Sequence, residues 1–222
     1  MTRPPVVAHR NPFRTSRLEQ LSFVFPTGRS MNRLVDRLSA VGGRGAVVGM
    51  HGTGKTTLLG ELASALASRG WHVVQERCDP AAGRRHGLLA ELATAGGSHA
   101  VLLDGAGSWS LFWWRRVVKA TAGAGRLVIT AHRPGRLPTL LHTQSSPELL
   151  DRLVSRLTPQ HHQELQPLLP ELHRRHRGDC HTILLALYDR LAHGVPGSSR
   201  TPGRSDRISL DPAAVAGSWP PG

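Results

Sequence analysis

The chain is poor in lysine, tyrosine and cysteine. Its 28 Lys and Arg residues include only two lysines, Lys55 and Lys119, and it has one Tyr and two Cys. Cys78 and Cys180 lie far apart and outside any metal-ligand spacing, which argues against a disulfide framework and indicates reduced, intracellular cysteines. No apolar run approaches the roughly 18 residues of a membrane helix, and the N-terminus lacks the apolar core of a signal peptide. We therefore expect a cytoplasmic protein without a membrane partner.

Acidic residues are also few, and the formal net charge is +13. Such a charge would suit a polyanion, so nucleic acid is a possible partner. The arginines are scattered, however, and the preference for Arg over Lys, together with many Gly, Ala and Pro, is typical of a GC-rich coding bias. Nucleic-acid contact is therefore the less favoured interpretation of the charge.

A glycine-rich segment follows a short apolar run in the first quarter of the chain. Residues 49–56 match the pattern G-x-x-x-x-G-K-T, after apolar residues 46–48 and before a helix-forming stretch over residues 58–69. Strand, glycine loop and helix in this order predict a phosphate-binding loop. Glycine lets backbone N–H groups turn inward around phosphate oxygens, and the helix N-terminus adds partial positive charge. The predicted nucleotide-binding residues are Gly49, His51, Gly52, Thr53, Gly54, Lys55, Thr56 and Thr57.

Two of these residues, with one carboxylate, carry the predicted chemistry. Lys55 is expected to reach the β- and γ-phosphates of ATP, and the Thr56 hydroxyl to ligate Mg²⁺. Asp104 ends an apolar strand over residues 100–103. Ligands bind at the carboxyl ends of strands in open α/β sheets, so Asp104 is the predicted second Mg²⁺ ligand. ATP and Mg²⁺ are the expected cofactors.

The group that would orient an attacking water is not evident. Gly105 follows Asp104, where many ATPases carry a glutamate. Glu76 and Asp79, at the end of the second predicted strand, are alternative carboxylates. Thr130 and His132, at the end of a later apolar strand, are candidates for sensing the γ-phosphate. Each of these side chains has an ordinary alternative role as a strand-end or loop residue.

The order of predicted elements indicates an α/β fold with a helical annex. We expect a flexible segment over residues 1–21, a nucleotide-binding domain over 22–146, a helical lid over 147–194 and a disordered tail over 195–222. Strands alternating with helices in the second segment predict a parallel sheet covered on both faces. An aromatic group formed by Trp109, Phe112, Trp113 and Trp114 is expected to pack mainly in the core, with at least one ring near the surface.

These motifs resemble those of the AAA+ ATPases and the related STAND signalling ATPases. Residues 28–38 are similar to the helix before the phosphate loop, residues 49–57 to Walker A, residues 101–104 to Walker B and residues 127–130 to the sensor-1 strand. Residues 178–181 resemble the sensor-2 entry of the lid, with Asp179 in place of Asn and His181 in place of Arg. The resemblance implies a P-loop NTPase fold of three layers, with five parallel strands in the order 5-1-4-3-2 and a small C-terminal helical lid. It also implies that adenine lies near Arg29 and that His181 faces the phosphates.

Three functions follow as alternatives. The favoured one is a slow, Mg²⁺-dependent ATPase of AAA+ type whose lid reports the γ-phosphate to a protein partner. The second is a small-molecule or nucleotide kinase, in which Asp79 would contact the substrate and Arg84 and Arg85 an acceptor phosphate. The third is a binding-only or DNA-associated ATP switch, which the positive charge and Gly105 suggest.

Overall fold

The computed structural model describes Phe13, residues 21–78 and residues 85–193. Most of the predicted flexible segment over residues 1–21, and all of the predicted tail over 195–222, lie outside the described residues. Asp79 and Arg84 also lie outside them, as does the side chain of Arg85. Within the described ranges, no helix combines the length and the apolar character needed to cross a bilayer.

Strands and helices alternate through the first part of the chain. The elements in chain order are α1 (Met31–Ala40), β1 (Arg44–Gly49), α2 (Lys55–Ala67), β2 (His72–Arg77), α3 (Arg85–Leu92), β3 (His99–Asp104), a short 3-10 turn (Ala106–Ser108), α4 (Leu111–Ala120), β4 (Arg126–Ala131) and β5 (Thr139–Thr143). Ser30 caps α1, since its side chain accepts a hydrogen bond from the Arg33 N–H at 3.4 Å. The strands β1, β3 and β4 extend one or two residues beyond the segments 46–48, 100–103 and 127–130 from which they were predicted.

The strands form one five-stranded parallel sheet in the order β2-β3-β4-β1-β5. This confirms the predicted order 5-1-4-3-2 and the three-layer α/β fold. A helix lies between β1 and β2, between β2 and β3 and between β3 and β4, as parallel crossovers require, and a short segment without a helix leads from β4 past β1 to β5. The order places β1 and β4 in the middle of the sheet, so the phosphate loop after β1 lies between the ends of β4 and β5.

Helices cover both faces because successive side chains of each strand point to opposite sides. On one face, Ala100 and Leu102 of β3 pack with buried leucines of α1 and α2. On the other face, Val101 and Leu103 pack with buried residues of α3 and α4. The continuous apolar runs in the sequence therefore reflect strands that are buried on both sides.

A second group of helices follows the sheet and has a core of its own. It consists of α5 (Pro147–Leu157), α6 (His162–Leu165), α7 (Leu169–Arg175) and α8 (Cys180–His193), with short 3-10 segments at Pro159–His161 and Gln166–Leu168. Leu150, Val154 and Ile183 are fully buried there, and Phe13 packs with them. All four helices lie within residues 147–194, the range expected for the helical lid. Between α5 and α8 the helices are short, and Pro167 and Pro170 lie in the first turns of the second 3-10 segment and of α7, where proline's missing backbone donor is tolerated.

The aromatic group after β3 is divided between the core and the surface. Trp114 is 7% exposed and packs in the core between α4 and the sheet, whereas Phe112 is 61% exposed. Trp113 is half-buried, and its ring meets that of Phe112 edge to face at 5.5 Å. Consecutive helical residues differ by about 100° in direction, so adjacent rings cannot all face the sheet.

Candidate functional site: a phosphate-loop cleft under a helical lid

A cleft of about 880 Å³ opens at the carboxyl edge of the sheet. Protein sites for small ligands occupy roughly 300–1,000 Å³, so this volume suits a nucleotide. Its floor is formed by the predicted phosphate loop and by the ends of β2, β3 and β4, and residues of α5 and α8 form the facing wall. Its lining includes the predicted site residues His51, Gly52, Thr53, Gly54, Lys55, Thr56, Thr57, Asp104, Thr130, His132 and His181.

The phosphate loop is fixed by hydrogen bonds to its own backbone and to β5. The Thr53 hydroxyl donates to the Met50 carbonyl at 2.8 Å and lies 2.7 Å from the hydroxyl of Thr143. Gly54 is the N-cap of α2, which begins at Lys55. The first N–H groups of a helix have no partner within it. The loop therefore presents backbone donors and the positive end of α2 to the cleft.

The carboxylate of Asp104 joins the phosphate loop to β4. It accepts a hydrogen bond from the Thr56 hydroxyl at 2.8 Å on one oxygen and from the Thr130 hydroxyl at 2.5 Å on the other. Thr130 in turn accepts from the Gly105 N–H at 2.7 Å. The structure thus brings together Thr56, Asp104 and Thr130, which lie far apart in the sequence.

Thr56 and Asp104 suit a magnesium ion. Hydroxyl and carboxylate oxygens are the hard ligands that Mg²⁺ takes, usually with waters and substrate phosphates completing its shell. Their oxygens are within 2.8 Å of each other at the mouth of the phosphate loop. The two residues predicted as metal ligands therefore converge, as a shared ion would require.

Lys55 interacts with two carboxylates of the cleft, Asp104 and Asp179. Its ammonium donates a hydrogen bond to the Met50 carbonyl at 2.6 Å. Burial lowers the pKa of Lys55 from its ordinary value, and the negative charges of Asp104 and Asp179 partly offset this effect. The side chain extends along the loop, where triphosphate oxygens would replace the carbonyl as acceptors.

His132 and His51 form a close pair of rings, tilted by 39°, that lines the cleft. Their ring centroids lie 4.1 Å apart, and Nδ1 of His132 is 3.3 Å from the Gly49 carbonyl. This contact requires the proton on Nδ1 and leaves Nε2 as an acceptor. Burial lowers the pKa of His132, and the positive charges of Lys55 and His51 lower it further. The lowered pKa favours the neutral form of His132 beside the phosphate site. Gly49 does not line the cleft, and its carbonyl accepts the hydrogen bond from His132.

Gly105 has a backbone conformation that a glutamate would not readily adopt. Its φ is +88°, in the left-handed region. A Cβ there would lie 3.2 Å from the Cys78 carbonyl oxygen. Side chains other than glycine cost roughly 1–2 kcal/mol in this region. The turn after β3 is therefore built for glycine.

Glu76 does not line the cleft, contrary to the prediction. It pairs in register with Leu103, whereas the next residue, Arg77, pairs with Asp104. Arg77 and Cys78, at the carboxyl end of β2 beside Asp104, line the cleft, whereas Glu76 lies one residue further from this edge and is not part of the lining. Burial and the nearby carboxylates raise the pKa of the Cys78 thiol to about 12, which keeps it uncharged.

Arg29 is also away from the cleft. It is exposed and is not part of the lining, which instead contains residues 21–24. The Phe23 N–H donates to Glu61 Oε1 at 2.6 Å, which fixes this segment against α2. An apolar wall follows, formed by Leu21, Phe23, Val24, Leu149, Leu153 and Leu184.

This wall is the surface that sequence reasoning missed. Its members come from the segment before α1, from α5 and from α8, and an apolar wall of this kind suits an adenine base. The apolar residues Leu21, Phe23 and Val24 were the available signal before α1. The sequence does not indicate that the leucines of α5 and α8 line a cleft, because a stripe of apolar residues along a helix is equally typical of one that packs in a core.

The lid places two polar residues over the phosphate loop. Asp179 and His181 precede and begin α8, and both line the cleft. The Asp179 carboxylate accepts the Thr182 N–H at 3.1 Å and so caps α8. The sensor-2-like segment thus reaches the site, as the resemblance implied. The side chain in contact with the loop is Asp179, while His181 is exposed at the rim.

Comparison with known families agrees with this geometry. A family model described as the AAA ATPase domain matches residues 28–196. The match begins before α1 and includes the whole sheet and the helical lid. No curated protein matches the chain. The matched length, the phosphate loop and the strand order together show that the chain belongs to the AAA ATPase domain family, as an ATP-binding protein of the AAA+ type.

Proposed function

We propose that the chain is a slow, Mg²⁺-dependent ATPase that acts as a switch, with the lid reporting the state of the nucleotide to a protein partner. The observation that carries this proposal is the contact of Asp104 with both Thr56 and Thr130. It links the phosphate loop, the metal ligands and the strand next to β3 in one hydrogen-bonded unit. Loss of the terminal phosphate would therefore change the contacts of the phosphate loop, of the metal ligands and of β4 together.

The residues of the cleft divide the binding of ATP among them. The N-terminus of α2 and the ammonium of Lys55 would hold the phosphates by charge-assisted hydrogen bonds. Thr56 and Asp104 would hold Mg²⁺, which when bound neutralises charge on the β- and γ-phosphates. Thr130 keeps the Asp104 carboxylate in its orientation through the bond at 2.5 Å.

Slow turnover follows from the end of β3. A water that attacks the γ-phosphate needs an oriented acceptor. Gly105 supplies no side chain there, and its left-handed backbone disfavours one. The carboxylates that line the cleft within the described residues are Asp104 and Asp179. Asp104 is occupied by two hydroxyl groups and Asp179 caps α8, so neither is free to act as a strong base.

The two walls of the cleft support the role of a switch. Residues of the sheet domain form the floor, while Leu149, Leu153 and Leu184 of the lid helices form the facing wall. A nucleotide between them would contact both sides, and its loss of a phosphate would change the position of α5 and α8. A partner that contacts these helices would receive that change.

The magnesium requirement is the direct test. Mg²⁺ should strengthen ATP binding by the wild type, and Asp104→Asn should lose most of this gain because it removes the charged ligand. Asp36→Asn is the matched control, since Asp36 is exposed on α1 away from the cleft. Titration calorimetry with and without Mg²⁺ measures both effects. An undiminished effect of Mg²⁺ in Asp104→Asn would count against this assignment of the metal.

The kinase alternative lacks support from the described residues. Asp79, Arg84 and the Arg85 side chain, on which it depends, lie outside them. The helical lid after β5 and the family match favour the ATPase. Transfer of phosphate to a nucleoside or nucleotide faster than to water would reverse this preference.

A DNA-associated switch remains the second candidate because of an aromatic and basic surface on α4. Phe112 is exposed on α4, and Arg115, Arg116 and Lys119 surround it without an acidic residue on that helix. Aromatic rings beside basic side chains suit single-stranded nucleic acid. Stimulation of MgATP turnover by DNA, with binding that weakens as salt rises, would support this candidate. Binding that ignores salt would contradict an electrostatic contact.

A further inference from the structure

A carboxylate of the lid lies directly on the phosphate loop. A Cβ built on Gly52 would lie 1.8 Å from Oδ1 of Asp179 and 2.6 Å from its carboxyl carbon. The φ of Gly52 is +66° as well, so the position admits glycine alone. Asp179 therefore packs against the backbone of the loop itself, in the space above Gly52.

The position of this carboxylate is fixed from its own side. Oδ1 of Asp179 accepts the Thr182 N–H at 3.1 Å, and the Asp179 carbonyl accepts the Ile183 N–H at 3.0 Å. These bonds hold Asp179 at the start of α8. The side chain cannot swing away from Gly52 without losing its cap or moving the helix.

The negative charge of Asp179 is not neutralised by a close ion pair in the described part of the chain. The ion pairs found there join His161 with Glu164, His162 with Asp151, and Arg174 with Glu171. The negative charge of Asp179 raises the pKa of Lys55, so the two charges interact. The hydrogen bond of the Lys55 ammonium, however, is donated to the Met50 carbonyl.

The backbone of a phosphate loop holds the α- and β-phosphates, and the lysine at its end reaches the β- and γ-phosphates. Lys55 lies three residues after Gly52, and its charge interacts with that of Asp179, so the γ-phosphate that Lys55 reaches would lie beside this carboxylate. A γ-phosphate adds negative charge next to Asp179, whereas a nucleoside diphosphate ends one phosphate earlier. Charges of like sign within a few ångströms repel by an amount that depends strongly on the local dielectric.

We propose that Asp179 is a specificity-determining residue that makes the site prefer a nucleoside diphosphate over a triphosphate while the lid rests on Gly52. The triphosphate then binds fully only when α8 withdraws. This inference rests on the proposed function, because it assumes nucleotide phosphates at the loop. It assigns to one lid carboxylate the coupling between the γ-phosphate and the position of the lid.

The test compares the affinities of the wild type and Asp179→Asn for MgATP and MgADP by titration calorimetry. Asparagine keeps an oxygen that can cap α8 and removes only the charge. We expect MgATP to bind about tenfold more tightly in the variant, which corresponds to about 1.4 kcal/mol. MgADP should change by less than about threefold, on the same electrostatic argument. Asp179→Ser, which also caps a helix, should show the same change of preference.

The controls separate this inference from the function on which it rests. Asp36→Asn removes an exposed charge outside the cleft and should leave both affinities as they are in the wild type. Equal changes for the two nucleotides in Asp179→Asn, or no change, would overturn the role of Asp179 alone. A drop in turnover with an unchanged ratio of affinities would also overturn it, since it would assign Asp179 to orienting water. Failure of the wild type to bind either nucleotide would instead contradict the proposed function.

Discussion

Replacing Thr130 with valine should destabilise the protein even without nucleotide. The Thr130 side chain is 1% exposed, and its hydroxyl donates to Asp104 at 2.5 Å and accepts from the Gly105 N–H at 2.7 Å. Valine has nearly the same shape but neither function. The variant loses one hydrogen bond to a charged group and leaves a backbone donor unpaired, which together cost about 2–4 kcal/mol.

A matched threonine in the same fold supplies the control. Thr121 is fully buried as well, and its hydroxyl donates to the Val117 carbonyl at 2.8 Å. That carbonyl already accepts the Thr121 N–H at 2.9 Å, so Thr121→Val orphans no group and should cost less than about 1 kcal/mol. Urea denaturation of both variants and the wild type measures the free energies of unfolding. A Thr130→Val protein no less stable than Thr121→Val would refute the view that Asp104, Thr130 and Gly105 form one unit.

Three further variants test separate parts of the account. Gly105→Glu should lower the free energy of unfolding by roughly 1–2 kcal/mol because of its left-handed backbone and should not speed MgATP turnover; a stable, faster enzyme would contradict this. Trp114→Ala should lower the free energy of unfolding by about 3–5 kcal/mol, whereas Phe112→Ala, at an exposed position, should change it by less than about 0.5 kcal/mol. Similar losses for the two variants in urea denaturation would contradict the division of the aromatic group between core and surface. The Cys78 thiol, whose pKa is raised to about 12, should react with a thiol reagent at pH 8 much more slowly in the folded protein than after denaturation, because the thiolate is the reactive form. Because its folded pKa exceeds the roughly 8.5 of a free thiol, its stabilising effect is complete below that pH and declines above it, a decline that Cys78→Ala should lack.

The core of the site could be predicted from the sequence because its signals are local. The phosphate loop needs glycines at fixed spacing, and the apolar strand before Asp104 determines where that carboxylate emerges. The strand order came from the family resemblance, and the structure confirms it. Thr130 was predicted as a sensor from its place at the end of a buried strand, and it does contact Asp104.

The remaining features depend on register and on contacts between distant segments. Glu76 and Arg77 are adjacent, and only the pairing of Arg77 with Asp104 decides which of them reaches the cleft. The apolar wall joins residues 21–24 to α5 and α8, and no local pattern predicts that meeting. Arg29 was placed near adenine by resemblance, yet the chain turns at Gly28 and leaves the arginine exposed. The contact of Asp179 with Gly52 likewise arises only from the docking of the lid.

The most direct test of the central claim uses the two lysines of the chain. Lys55 lies in the phosphate loop, and Lys119 is exposed on α4 outside the cleft. MgATP binding should fall by at least about a hundredfold in Lys55→Ala, because charge-assisted bonds to the phosphates are lost. Binding should be unchanged in Lys119→Ala. Titration of the three proteins with MgATP decides the matter, and equal affinity of Lys55→Ala and the wild type would contradict nucleotide binding at this loop.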